Sequence, residues 1–182
     1  MMKLLYPYEC AKSVFAVDYE KLYENGFRGL IFDIDNTLVH HGDDSTPEID
    51  NLFNKLHKIG FKTLLLSNNG EERVQRFLKN IDSYYICNAS KPKPGGYKKA
   101  AEMMNLKKEQ TVFFGDQIFT DILGANLSGI PNVLVDFIRL EGETNFGKRR
   151  QAENIILKFY RKSKKSQHRL GKIIRENEYN AV

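Results

Sequence analysis

Between residues 28 and 136 the chain alternates short apolar runs with segments whose apolar residues recur at helical spacing. The first run, Gly29-Leu30-Ile31-Phe32-Asp33-Ile34, is apolar at consecutive positions, which predicts a strand covered on both faces. A helix start follows: Ser45 and Glu48 have capping-box spacing, and Pro47 suits the first turn. Leu52, Phe53, Leu56 and Ile59 form its apolar stripe, and Gly60 predicts its end. A second buried strand over 62–67 leads through Asn68-Asn69-Gly70 into a helix with Val74, Phe77 and Leu78 on its apolar side. A third strand over 84–87 precedes a loop over 90–96 and a helix through Ala100, Ala101 and Met104. A fourth over 111–114 runs into Gly115-Asp116, and a helix near 121–127 closes at Gly129. Residues 132–135 read as a fifth strand.

Strands alternating with helices of these lengths predict an α/β fold with a parallel sheet of about five strands and right-handed crossovers. Sheets of this kind bind ligands beyond the carboxyl ends of their strands. That rule directs attention to residues 33–37, Ser67, Lys91 and residues 115–121, each of which follows an expected strand. The chain divides into an N-terminal arm (1–27), a core (28–146) and a basic C-terminal segment (147–182).

Composition narrows the class. With 182 residues, 41% of them hydrophobic and 28% charged, the chain suits one globular domain with a genuine core. Its longest apolar runs fall far short of the roughly 20 residues of a spanning helix. Pro7 arrives too early for a secretory apolar region, so a cytoplasmic location is expected. Cys10 and Cys87 lie far apart and offer neither a disulfide framework nor a zinc-binding set. The net charge of +5 is unevenly spread: residues 148–175 hold 11 cations and one acid, Glu153, on a chain whose body is mildly acidic. Such a segment attracts polyanions, whether nucleic acid or an anionic lipid surface, and a solvated tail is the bland alternative.

The acids at the expected strand ends carry the chemistry. Asp33 and Asp35, two apart on an extended segment, project the same way, and two anions held together need a shared cation or proton. Hard oxygen donors suit Mg²⁺. Asp116 and Asp121 are the natural remaining acids. Ser67 offers a hydroxyl and, with Asn68 and Asn69, backbone N–H groups in a turn able to cradle phosphate oxygens. Lys91 or Lys93 supplies positive charge against the acids and a phosphoryl group. Taken singly, each element has an ordinary structural reading: Ser67 as a turn cap, the lysines in a solvated loop, Asp121 as a first-turn acid.

In order, Phe32-Asp33-Ile34-Asp35-Asn36-Thr37-Leu38-Val39, Leu66-Ser67-Asn68, Lys91-Pro92 and Gly115-Asp116-Gln117-x-x-Thr120-Asp121 resemble the four motifs of haloacid dehalogenase (HAD) superfamily phosphatases. Residues 115–126 are most similar to the subclass IIIA, YqeG-like branch, which is similar to phosphatidylglycerophosphate phosphatases. The resemblance implies a HAD-like Rossmannoid three-layer sandwich and an Mg²⁺-dependent phosphomonoesterase. In it Asp33 is the nucleophile that becomes an aspartyl phosphate, and Asp35 the acid and then the base. Ser67 and Lys91 stabilise the phosphoryl oxygens, with Asn68 and Lys93 among the candidate substrate contacts. The metal is held by the Asp33 carboxylate, the Asp35 backbone carbonyl and Asp116, with Asp121 in the inner or outer shell. Thr37, another candidate substrate contact, braces the nucleophile loop.

The stretches from Thr37 to Ser67 and from Ser67 to Lys91 each hold one helix and one strand, leaving no room for a cap domain. An open site suits a large or surface-borne phosphate ester. In the C-terminal segment Ile155, Ile156, Phe159 and Tyr160 lie at helical spacing among the cations, a basic amphipathic pattern. Its apolar residues either pack on the core or enter a lipid interface. Together these expectations give a cytoplasmic enzyme, peripheral at the inner membrane surface, whose partner is an anionic lipid. Two alternatives are weighed. A receiver-like signalling domain requires an Asp after the third strand, where Asn88-Ala89-Ser90 stands. A protein bound to RNA or ribosomes through residues 148–175 lacks any recognised nucleic-acid module.

Overall fold

In the computed structural model, which describes residues 2–138 and 147–175, the strands are β1 (Glu9–Ala11), β2 (Gly29–Phe32), β3 (Lys62–Leu66), β4 (Tyr84–Ile86), β5 (Thr111–Gly115) and β6 (Asn132–Val135). All pair in parallel in the order β1-β6-β5-β2-β3-β4. The helices are α1 (Tyr19–Glu24), α2 (Pro47–Ile59), α3 (Glu71–Phe77), α4 (Pro94–Met103), α5 (Leu123–Ser128) and α6 (Lys148–Lys162). Residues 139–146 and 176–182, the ends of the expected core and basic segments, lie outside the described residues.

The central strands show why continuous apolar runs were needed. Leu30 and Phe32 of β2, Leu65 of β3, and Val112 and Phe114 of β5 enter one core, under α1, α2 and α3. Their neighbours Ile31, Leu64, Leu66 and Phe113 enter a second core on the opposite face, under α4 and α5. Period-two alternation thus fills two layers from one sheet, giving a three-layer sandwich. Phe32 stacks on Phe114 with ring centroids 4.9 Å apart, which fixes the first core directly beneath the carboxyl ends of β2 and β5. No cap domain is present among the described residues, so those ends face outward.

Several local expectations are corrected. The cap of α2 is Thr46, whose hydroxyl accepts from the Ile49 N–H (3.4 Å), because a proline at the first helical position places the cap one residue before it. Ser45 is not the cap; its hydroxyl donates to Asp50 Oδ1 at 2.5 Å. The loop expected over 90–96 ends early, with α4 starting at Pro94. The helix expected near 121–127 is a π-helical turn (Ile118–Ile122) continued by α5, and it closes at Gly129 in a left-handed conformation (φ 70°) as anticipated.

A sixth strand comes from the arm. β1 pairs with β6 in register Cys10 to Leu134. The described part of the C-terminal segment, residues 147–175, is not a solvated tail: after α6, Leu170, Ile173 and Ile174 enter the first core. There Ile174 bridges Val17 and the Asp18 N–H donates to Ile173 O (2.7 Å). The apolar pattern of α6 itself divides. Ile156 and Leu157 pack on Ile118, Ile122 and Leu134, and Tyr160 meets Tyr6 edge to face, whereas Ile155 and Phe159 remain exposed.

Ile173, fully buried, provides a check. Ile173→Ala is expected to destabilise the protein by about 2–4 kcal/mol, read from the urea midpoint at constant slope, whereas a solvated tail would show no change.

Candidate active site

The chain runs from β2 outward through β3 to β4, then returns to the other side of β2 as β5. The reversal opens a crevice at the carboxyl ends of β2 and β5, where such sheets bind ligands. Asp33 follows β2 directly and its N–H still donates to Phe114 O (2.9 Å), so its backbone is held by the ladder. Asp116 follows β5, and Asp121 lies on the π-helical turn beyond it. Asp33, Asp116 and Asp121 are buried, and their carboxylate oxygens lie within 4.8 Å of one another.

Three buried carboxylates at this spacing repel one another and lose hydration, so cations must accompany them. Lys91, itself buried, sits between two of them: Nζ is 2.7 Å from Asp33 Oδ1 and 2.8 Å from Asp121 Oδ1. Arg150 of α6 pairs with Asp116 Oδ2 and also donates to the Asp116 backbone carbonyl (2.6 Å). Burial pushes Asp33 up from 3.8 to about 7; Lys91 opposes this, while the nearby Asp121 and Asp116 add to it. Burial likewise pushes Asp116 up to about 6, with Asp121 adding and Arg150 opposing. For Lys91, burial disfavours the charge, but Asp121 and Asp33 outweigh it and hold the pKa above the ordinary lysine value. The two directions are consistent, since one ammonium faces more acid than it can neutralise and any retained proton belongs to the cluster.

The other expected residues divide. Of the two loop lysines, Lys91 enters the cluster and Lys93 is exposed. Asn68 grips the Lys91 backbone from both sides, accepting its N–H (2.7 Å) and donating to its carbonyl (3.3 Å). Ser67 is buried at the end of β3, where its hydroxyl accepts from the Asn69 N–H (3.1 Å), the turn-cap geometry. Thr37 donates to Asp116 Oδ1 (3.4 Å), bracing an acid of the cluster. Asp121 Oδ2 accepts from the Gln117 N–H (3.0 Å), so this acid also organises its own loop.

Asp35 departs from expectation. Its carboxylate is not part of the cluster that Asp33 forms with Asp116 and Asp121, because the strand ends at Phe32 and the chain turns, with Asn36 left-handed at φ 63°. Instead it accepts from the Gly42 N–H (2.9 Å), Arg73 (2.9 Å) and the Asn69 side chain. Burial raises its pKa, but the Gly42 N–H, Arg73 and Asn69 outweigh that and hold it below the usual aspartate value.

Sequence reasoning missed Arg73, Arg150 and Glu153. Glu153, the one acid of the basic segment, is buried and accepts from Ile118 N–H (2.9 Å) while pairing with Arg150 (3.0 Å). Its isolation among cations was the available signal. Gly115 had a further reason: a Cβ there would stand 2.6 Å from the Asp121 side chain. Beside Asp116 a cavity of about 370 Å³ opens along α6, lined by Ile118, Leu134, Phe137, Arg150, Leu157 and Arg161 among others.

A family model of haloacid dehalogenase-like hydrolases matches residues 41–129. The chain is 38% identical over 136 residues to "Probable phosphatase YqeG" of Bacillus subtilis (strain 168), covering 74% of this chain and 79% of that protein. The chain belongs to the haloacid dehalogenase-like hydrolase family and is an enzyme of the HAD phosphatase type. Two solved structures share the fold. One is an uncharacterised protein from Listeria monocytogenes serotype 4b (TM-score 0.53, 17% identity, 75% of this chain and 100% of that one). The other is the D,D-heptose 1,7-bisphosphate phosphatase of B. bronchiseptica, solved with magnesium and phosphate (TM-score 0.52, 13% identity, the same coverages).

The cluster suits a divalent metal. All its donors are hard oxygens, and its acids outnumber its cations, a deficit that an oxygen-seeking dication relieves.

A pH dependence follows from the raised acids. The folded, metal-free protein holds protons that the unfolded chain releases from about pH 4 upward, so their contribution to stability declines as pH rises toward about 7. Urea midpoints in the presence of a chelator are expected to fall across that window. The decline should be shallower in Asp33→Asn, and an identical slope in both proteins contradicts the assignment.

Proposed function

We propose that this enzyme is an Mg²⁺-dependent phosphomonoesterase acting through an aspartyl phosphate on Asp33, with a phospholipid headgroup such as that of phosphatidylglycerophosphate as its substrate class. The observation that carries the catalytic part is the position of Asp33, held by Lys91 at the sheet's reversal point within 4.8 Å of Asp116 and Asp121. Asp33, Asp116 and the Asp35 backbone carbonyl would hold the metal, with Asp121 beside them. When bound, the metal neutralises phosphoryl oxygen charge and aligns the ester.

An Asp33 carboxylate oxygen attacks phosphorus, forming the Asp33–phosphorus bond as the ester oxygen departs. Lys91 and the Ser67 hydroxyl face the charge on the remaining phosphoryl oxygens. In the second half, water attacks phosphorus, its proton passes to Asp35, and Asp33 is released. An ionised Asp35 held by Gly42, Arg73 and Asn69 suits this second half directly. Protonating the departing alkoxide in the first half requires Asp35 to arrive as the acid, which means loosening the Arg73 pair.

One feature favours a bulky or surface-borne ester: the crevice carries no cap domain among the described residues. Among the described residues, no helix is long and apolar enough to cross a membrane, so a lipid substrate would be met at a surface.

Phosphate release from an aryl phosphate is expected to need Mg²⁺, to fall at least about a thousandfold in Asp33→Asn, and to lose kcat in Asp35→Asn. Full turnover in Asp33→Asn rejects the nucleophile. A panel of phosphatidylglycerophosphate, sugar phosphates and nucleotides, ranked by kcat/KM, tests the lipid assignment; a sugar phosphate or nucleotide at the top refutes it.

A further inference from the structure

We propose that the outward face of α6 is a docking surface for an anionic lipid bilayer, setting the open crevice against the layer of headgroups that carries the ester. The inference rests on the lipid reading above and adds the element that performs the approach.

The two faces of α6 differ in chemistry. Arg150, Glu153, Ile156, Leu157 and Tyr160 turn inward and are consumed by contacts with the catalytic loop, the small core beneath it and Tyr6. The outward face carries Lys148, Lys158 and Lys162, with Arg149 at its edge, all exposed, and no acid, since Glu153 is buried. Among these cations stand Ile155 and Phe159, one turn apart and 56% and 50% exposed. Two large apolar side chains ringed by cations cost free energy in water and suit the boundary where phosphates overlie acyl chains.

The face is fixed relative to the chemistry. Arg150 binds Asp116, and Glu153 accepts from the Ile118 N–H, so the helix cannot reorient without disturbing the acid cluster. The Arg149 guanidinium lies 5.6 Å from the centroid of the Phe119 ring on the π-helical turn that bears Asp121, so the cationic face begins at the rim of the crevice. Other occupants fit less well. A second copy of the chain would bring like charges together, and a nucleic acid would engage the cations while leaving Ile155 and Phe159 in water.

Sedimentation of the full chain with vesicles of phosphatidylcholine containing about 30% phosphatidylglycerol, against pure phosphatidylcholine, tests this at physiological salt. Binding to the anionic vesicles is expected to exceed the neutral ones at least tenfold. It should weaken roughly fivefold for each cation removed in Lys158→Gln and Lys162→Gln. In the double variant Ile155→Ser with Phe159→Ser it should be lost, with aryl phosphate hydrolysis within twofold of the parent. Asp33→Asn should bind vesicles like the parent, which separates failure of docking from failure of the catalytic reading. Equal partitioning to both vesicle types overturns the proposal. So does undiminished binding by the double variant, or an RNA oligonucleotide binding more tightly than anionic vesicles and insensitive to that variant.

Discussion

The structure depends on a single buried ammonium. Lys91 lies between Asp33 and Asp121, and without it two carboxylates would be left charged, close and dry. Removing one partner from such a pair typically costs about 3–5 kcal/mol, because the remaining charge is stranded. Much of the surrounding chain is shaped around this contact. Asn68 clamps the Lys91 backbone on both sides. Gly115 lets Asp121 approach within a distance that any Cβ would block. The Tyr97 hydroxyl donates to the Thr120 carbonyl (3.0 Å), and its ring lies where Gly124 offers no side chain, which ties the Asp121 turn to α4. The same arrangement that makes the cluster bearable leaves it short of positive charge, a deficit that a divalent metal would relieve.

The legibility of this fold tracks the number of faces each element buries. β2, β3 and β5 are covered on both sides, so their runs are apolar at consecutive positions and read plainly. β1 has three residues, one of them Glu9, which is buried through a bond to the Cys10 N–H (3.0 Å) and a contact with His168 (2.9 Å). A strand stabilised by a paired acid shows no hydrophobic periodicity. Register along the central strands was settled by hydrophobic faces, whereas the edge was settled by partners that lie far away in sequence.

The same reasoning divides the site. Asp33, Lys91, Asp116 and Asp121 each follow a strand in a parallel sheet, and topology alone brings strand ends together. Arg150 could not be singled out among the cations of its segment, because its partner Asp116 is 34 residues away and joined through residues that carry no motif. Net charge counts cations without asking which are already engaged. Arg150 is spent on Asp116, and Arg169 on the Tyr6 and Pro7 carbonyls and the Tyr8 ring, 3.6 Å from its centroid. The basic segment is therefore two things at once: an internal set that ties it to Asp116 and to the N-terminal arm, and an external set left facing solvent.

Asp35 shows how a two-residue spacing can mislead. The rule that alternate residues share a face holds only while the backbone stays extended, and here the ladder ends at Phe32. Beyond it the chain curls so that Asn36 N–H donates to Val39 O (2.7 Å) and the Asp35 carboxylate swings toward Arg73. The consequence is chemical as well as geometric. Asp33 sits where burial and neighbouring acids favour a retained proton, and Asp35 sits where donors favour the anion. Two carboxylates, two positions apart, are thereby driven toward opposite protonation states by their surroundings, and environments that separate two acids in this way define different roles for them. A dication at the cluster would favour the ionised form of Asp33, whereas the Asp35 carboxylate answers to Gly42, Arg73 and Asn69. The turn after β2 keeps those two controls apart.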